Sequence, residues 1–128
     1  MIEALTEYGE AFGMVFQIVD DLLDVTATDA RLGKPAGHDM VEGVYTLPVL
    51  RTLQAGGVAA AELLALFGKP LDIAERDKAL AIVRSNGGVA SAMKSAEEWA
   101  AAAKAACRAL PASPATDVLL HTPDALLA

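Results

Sequence analysis

The sequence predicts an all-α protein, and three observations carry that prediction. Twenty-seven residues are alanine, the side chain that loses least on entering a helix. Aromatic residues make up only 5% of the chain, and no stretch alternates Val, Ile or Thr as a half-buried strand does. Apolar residues recur instead at three- and four-residue intervals, and 54% hydrophobic content with 21% charged residues suits a packed core rather than a disordered chain. The expectation is a bundle of about five helices, in one domain over residues 1–110, with a Pro-interrupted tail at 111–128.

The first helix is expected from about Ala4 to Val25, where Leu5, Tyr8, Phe12, Val15, Phe16, Val19, Leu22 and Leu23 keep the helical period. Gly9 and Gly13, four apart, would let a neighbouring backbone approach. Thr26 to Gly43 reads as a polar connection, too broken for a helix and too long for a plain turn; loops of this length in compact domains are usually functional. A second helix should start near Thr46, with Thr as cap and Pro48 in the first turn, and end near Leu53 before Gly56 and Gly57. Ala59 to Phe67 follows, closed by Gly68 and Pro70. Asp72 to Ser85 has a capping-box pattern in Asp72 and Glu75 and a stop at Asn86 to Gly88. The last strong helix runs from about Val89 to Leu110, where Pro111 ends it. Trp99 and the methionines read as core or interface, and Glu97 and Glu98 as a solvated face. The tail is expected to hold one weak turn around Asp117 to Leu120.

The formal charge of −7 is concentrated in the first 50 residues, which hold nine acids against Arg31 and Lys34, whereas residues 51–128 hold eight of each sign. There is no basic stripe to displace the counterions of a nucleic acid, so nucleic acid is not an expected partner and a bound cation is. No apolar run reaches the roughly 20 residues of a membrane span, and the first residues lack the pattern of a signal peptide. A cytoplasmic location is the expectation. Cys107, the single cysteine, permits neither an internal disulfide nor a thiolate metal cage, and reads as a small buried apolar side chain.

The stretch Phe16 to Val25, FQIVDDLLDV, raises a physical problem. Asp20 and Asp24 lie on one face of a helix about one turn apart, with Asp21 turned by roughly 100°. Their neighbours are almost all apolar. Buried acids would face a desolvation cost of several kcal/mol each, or would take up protons. A solvated surface stripe is one answer; a hard divalent cation is the other. Mg²⁺ fits the second, because it binds through one or two carboxylates and completes its octahedron with water and substrate phosphate. Lys34 follows ten residues after Asp24 in LGKPAGHD, between glycines that let a ligand approach the backbone. An ammonium there can meet a phosphate as a point charge. His38 in the same stretch is a candidate donor to a phosphate, while His121 in the tail is incidental.

Residues 9–50 carry three ordered motifs: FQIVDDLLD at 16–24, GKPAGHD at 33–39 and EGVYTLP at 42–48. This stretch closely resembles the second aspartate-rich region of the trans-type polyprenyl diphosphate synthases, with the pattern F-Q-x-x-D-D-x-x-D, G-K-P-x-G-x-D and E-G-x-x-T-L-P. The resemblance implies part of an isoprenoid synthase helical bundle around a deep apolar cavity. It implies a prenyltransferase that condenses an allylic diphosphate with isopentenyl diphosphate, assisted by Mg²⁺ at the departing diphosphate. By the family pattern Asp20, Asp21 and Asp24 would serve the metal, and Asp20, Asp21 and Lys34 would form the catalytic set. Lys34 would hold the diphosphate, Phe16 and Gln17 would face the cavity beside the reacting chain, and Asp39 would lie close to the metal.

Departures from the pattern set a second expectation. The family's first aspartate-rich motif, with its pair of arginines, has no counterpart, Val44 stands where many members carry lysine, and the end of the chain reads DALLA rather than basic. The chain therefore resembles a C-terminal half, a truncated fragment inactive alone. A homodimer or a heteromer would then supply the missing half. The alternative is a non-catalytic partner subunit of a full-length synthase. A terpene cyclase of the same fold is disfavoured by the GKPAGHD and TLP elements.

Overall fold

The computed structural model describes residues 1–27 and 36–128. Among these there are seven α-helices and no strand, as the all-α prediction requires. They are α1 (Ile2–Thr26), α2 (His38–Val41), α3 (Leu47–Gln54), α4 (Gly57–Leu66), α5 (Ile73–Ser85), α6 (Gly88–Ala106) and α7 (Pro114–Leu127); a 3₁₀ turn spans Cys107–Ala109. Two helices exceed the expected number. A single turn, α2, forms inside the stretch read as too broken for a helix, and the tail forms a full helix rather than a weak turn. No helix among the described residues is long and apolar enough to cross a membrane.

The chain divides into two compact units, residues 1–19 with 93–128 and residues 20–92. The first unit packs Tyr8, Ala11 and Phe12 of α1 against Ala103 and Ala106 of α6, Cys107, and Leu119 of α7. Alanine is what makes this contact close. Ala96, Ala100 and Ala103, at helical spacing on α6, are buried with almost no exposure and have no bulk to hold a neighbour away. The Tyr8 and Phe12 rings stack with centroids 5.9 Å apart. Gly9 and Gly13 are exposed, and a Cβ at either would meet nothing within 4 Å, so neither supports the close approach expected of it.

The tail becomes a helix for a reason found in the first unit. Ser113 caps α7 by accepting from the Thr116 amide at 3.1 Å, and Pro114 occupies the first turn, where its missing N–H costs nothing. Pro123 lies inside the helix and has no N–H to donate to the carbonyl of Leu119, four residues back. Tyr8 fills the gap: its hydroxyl donates to Leu119 O at 2.6 Å. Burial, and then the nearby Cys107, push the Tyr8 phenol above its ordinary value of 10.0, which keeps the proton on the donor.

The second unit is built around Val25, Met40, Val49, Leu63, Leu80 and Val83. Thr46 occupies the cap position of α3, but its side chain makes no cap hydrogen bond, and the hydroxyl is buried without a partner among the described residues. Asp72 and Glu75 form the capping box that the sequence predicts, with the Glu75 amide donating to Asp72 Oδ1 at 2.8 Å and the Asp72 amide to Glu75 Oε1 at 3.3 Å. The start of α6 approaches α3 so closely that a Cβ on Gly88 would lie 2.1 Å from Thr52 Oγ1 and 2.4 Å from Pro48 O. Only glycine fits there.

Candidate active site

Helix α1 carries the predicted aspartates on its last two turns, and the structure gives each a different environment. Asp20 is exposed, Asp21 is half-buried, and Asp24 is only 3% exposed. Asp20 and Asp24 share a face by periodicity, so the difference comes from what covers the end of the helix. Val25, the residue after Asp24, belongs to the core of the second unit together with Ala36 and Leu80.

The chain returns to this end at Gly37, whose amide donates to Asp24 O at 2.8 Å. Gly37 has φ 76°, and a Cβ there would come within 3.1 Å of the Leu80 side chain, so glycine is needed both for the turn and for the contact. Asp39 follows two residues later, half-buried in the first turn of α2, with its carbonyl accepting from the Val44 amide at 2.7 Å. The last glycine of the GKPAGHD motif is thus tied to the aspartate helix. Lys34 lies outside the described residues.

Phe16 and Gln17, one turn before the aspartates, are exposed, Phe16 by 58%. They belong to the first unit. His38 pairs through Nε2 with Glu42 Oε1 at 3.1 Å and lines a pocket of about 170 Å³ with Val41, Leu71, Asp72, Ile73 and Arg76. Glu97 and Glu98 are exposed and Cys107 is buried, as expected. Trp99 is 38% exposed, and Met93 is half-buried.

One residue at this end carries no signal in the sequence: Arg84, on the helix expected from Asp72 to Ser85. Arg84 of α5 donates through Nε to Val25 O, the carbonyl next to Asp24. No local pattern announces such a bond between residues 59 apart in sequence.

Among the described residues no group of three His, Cys, Asp or Glu side chains converges closely enough to hold a cation. Asp20, Asp21 and Asp24 therefore offer separate hard oxygen donors, not a closed cage. That donor set fits a small divalent ion that takes one or two carboxylates and fills its remaining positions with water and phosphate oxygen. It does not fit a structural zinc site, which needs four nitrogen or sulfur ligands.

The polyprenyl synthetase family profile matches residues 1–83. The chain is 37% identical over 124 residues to a nonaprenyl diphosphate synthase of Mycobacterium tuberculosis, across 96% of this chain and 37% of that protein. It is 39% identical over 89 residues to heptaprenyl diphosphate synthase component 2 of Geobacillus stearothermophilus, across 70% of this chain and 27% of the relative. A geranylgeranyl pyrophosphate synthase of Corynebacterium glutamicum, solved with calcium and isoprenyl diphosphate, matches with a TM-score of 0.89 at 33% identity, over 98% of this chain and 39% of its own. The chain thus spans between 27% and 39% of the length of these relatives. An all-helical fold, an aspartate-bearing helix tied to a glycine return, and the profile over residues 1–83 together place this chain in the polyprenyl synthetase family.

Proposed function

We propose that the chain carries the leaving-group side of a prenyltransferase site in isoprenoid biosynthesis, where an allylic diphosphate condenses with isopentenyl diphosphate. The supporting observation is the ordered set FQIVDDLLD, GKPAGHD and EGVYTLP within the stretch that matches polyprenyl synthetases. Residues 1–110 form the C-terminal part of the synthase domain in this reading. The set Asp20, Asp21 and Asp24 serves Mg²⁺, which takes one or two of these carboxylates and whose positive charge would offset the charge that develops on the departing diphosphate. The exposed Asp20 offers its oxygens at the surface of α1, and Asp21 adds a second donor about 100° around the helix. Lys34 meets the diphosphate as a point charge, and Asp39 supports the metal side of the site. Phe16 and Gln17 flank the reacting chain, with the Phe16 ring excluding water from the allylic carbon.

A chain that carries the family's first motif, such as a longer relative, completes the site. A non-catalytic subunit role is the second reading. It is supported by likeness to a protein named as one component of a heptaprenyl synthase. Calorimetry with Mg²⁺ and pyrophosphate together should give binding heat with the chain, and Asp20→Asn with Asp21→Asn should abolish it. The chain alone should release no prenyl product from labelled isopentenyl diphosphate and an allylic diphosphate. Product from the chain alone would overturn its dependence on a partner. Absence of heat from a folded sample would overturn the site.

A further inference from the structure

The last turn of α1 contains Asp24 and no basic residue, although a helix C-terminus already carries partial negative charge. Three carboxylates on the final two turns add to that charge, and nothing within the helix offsets it. A cation reaches this end from α5. Leu80 packs against Gly37, where the chain returns to donate to Asp24 O, and Arg84, one turn further along α5, donates through Nε to Val25 O. One helix face therefore holds both the return of the glycine segment and the carboxylate-bearing end of α1.

We infer that Arg84 is a positioning residue for the proposed diphosphate site: by capping Val25 O with a cation it fixes the last turn of α1, and with it the direction of the aspartate carboxylates. The inference rests on the diphosphate reading given above. Arg84 lies just beyond the residues that the family profile matches, at 1–83. It does not touch the ligand in this role; it acts through the backbone. The charge is part of the function, because a neutral donor would satisfy the carbonyl without offsetting the field of three acids and a helix end.

The test compares wild type, Arg84→Met and Arg84→Lys, using Mg²⁺ with inorganic pyrophosphate as the probe and amide exchange as a second readout. Met keeps the apolar stem without a donor, and Lys restores both a donor and a positive charge. Arg84→Met should bind the pair roughly 10-fold more weakly, in the range seen when groups that orient metal ligands are removed. Arg84→Lys should recover most of that loss. Exchange should quicken in Arg84→Met at the amides of Leu23 to Ala27 and Gly37, and not throughout residues 36–92. Wild-type affinity in Arg84→Met overturns the inference. So does a loss of affinity that tracks faster exchange throughout residues 36–92, since that is a purely structural role. If wild type itself gives no heat, the diphosphate reading fails. The pin is then judged by exchange alone: locally faster in Met and restored in Lys upholds it, and unchanged exchange overturns it.

Discussion

Two helix carbonyls in this protein are served by side chains from far along the sequence, and they differ in why the need arises. Leu119 O lies in mid-helix, and the donor it lacks was removed by Pro123. Tyr8 replaces it with a neutral hydroxyl, inside a cluster of alanine and aromatic side chains. Val25 O lies at a helix end, where the last four carbonyls never have intrahelical donors. Arg84 serves it with a cation, at the end of a helix that bears three carboxylates. The first arrangement restores a regular helix and is complete once the bond is made. The second also sets a charge, which is why it belongs with the chemistry. The same backbone need is met by a phenol where only architecture is at stake and by a guanidinium where an anion-rich site must be held.

The comparison breaks altogether if the second unit loses its frame. Gly88→Ala would force a Cβ against Thr52 Oγ1 and the Pro48 carbonyl, and backbone cannot rotate aside as a side chain can. A loss of about 3 kcal/mol is expected, from the top of the over-packing range. The melting temperature should fall by roughly 10 °C. A melt within about 2 °C of wild type would mean that α3 and the start of α6 are not packed as described.

A double-mutant cycle sharpens the Tyr8 side. Tyr8→Phe removes the hydroxyl and leaves a part-buried carbonyl without its donor, for a cost of about 1–2 kcal/mol. Pro123→Ala returns an N–H to the carbonyl of Leu119. In that background Tyr8→Phe should cost less by roughly 1 kcal/mol, measured by chemical denaturation. Equal costs in the two backgrounds would show that the phenol does not serve the carbonyl orphaned by proline.

The smallest effect separates exposed charge from the buried arrangements. Lys69 lies 2.8 Å from Glu75 and, with the Asp72 amide, holds the Glu75 carboxyl below its ordinary value of 4.5. A depressed carboxyl contributes stability that is present above its ordinary value and lost as pH falls through the lowered one. The same pair raises Lys69 above 10.5, a contribution present below that value and lost as pH rises through the raised one. Lys69 is exposed and Glu75 partly so, and salt should screen the effect. Glu75→Gln should therefore flatten the pH dependence of the melt slightly below pH 4.5 and leave it unchanged near neutrality. A large shift at pH 7 would contradict this assignment.

Local sequence determined a good deal of this protein. The alanine content and the helical period announced α1 and α6, Asp72 and Glu75 announced the start of α5, and the ordered motifs of residues 16–48 announced the family. These signals were legible because propensity, caps and side-chain periodicity act over four residues or fewer, so each is complete within the stretch that displays it. Tertiary structure alone decided that the proline-bearing tail would be a helix. It also decided that Asp24 would be buried and Asp20 exposed, and that Arg84 would cap the aspartate helix. Tyr8 reaches Leu119 across 111 residues and Arg84 reaches Val25 across 59. Such bonds exist only after the chain has packed, because no property of either partner taken alone favours the other until burial has brought them together.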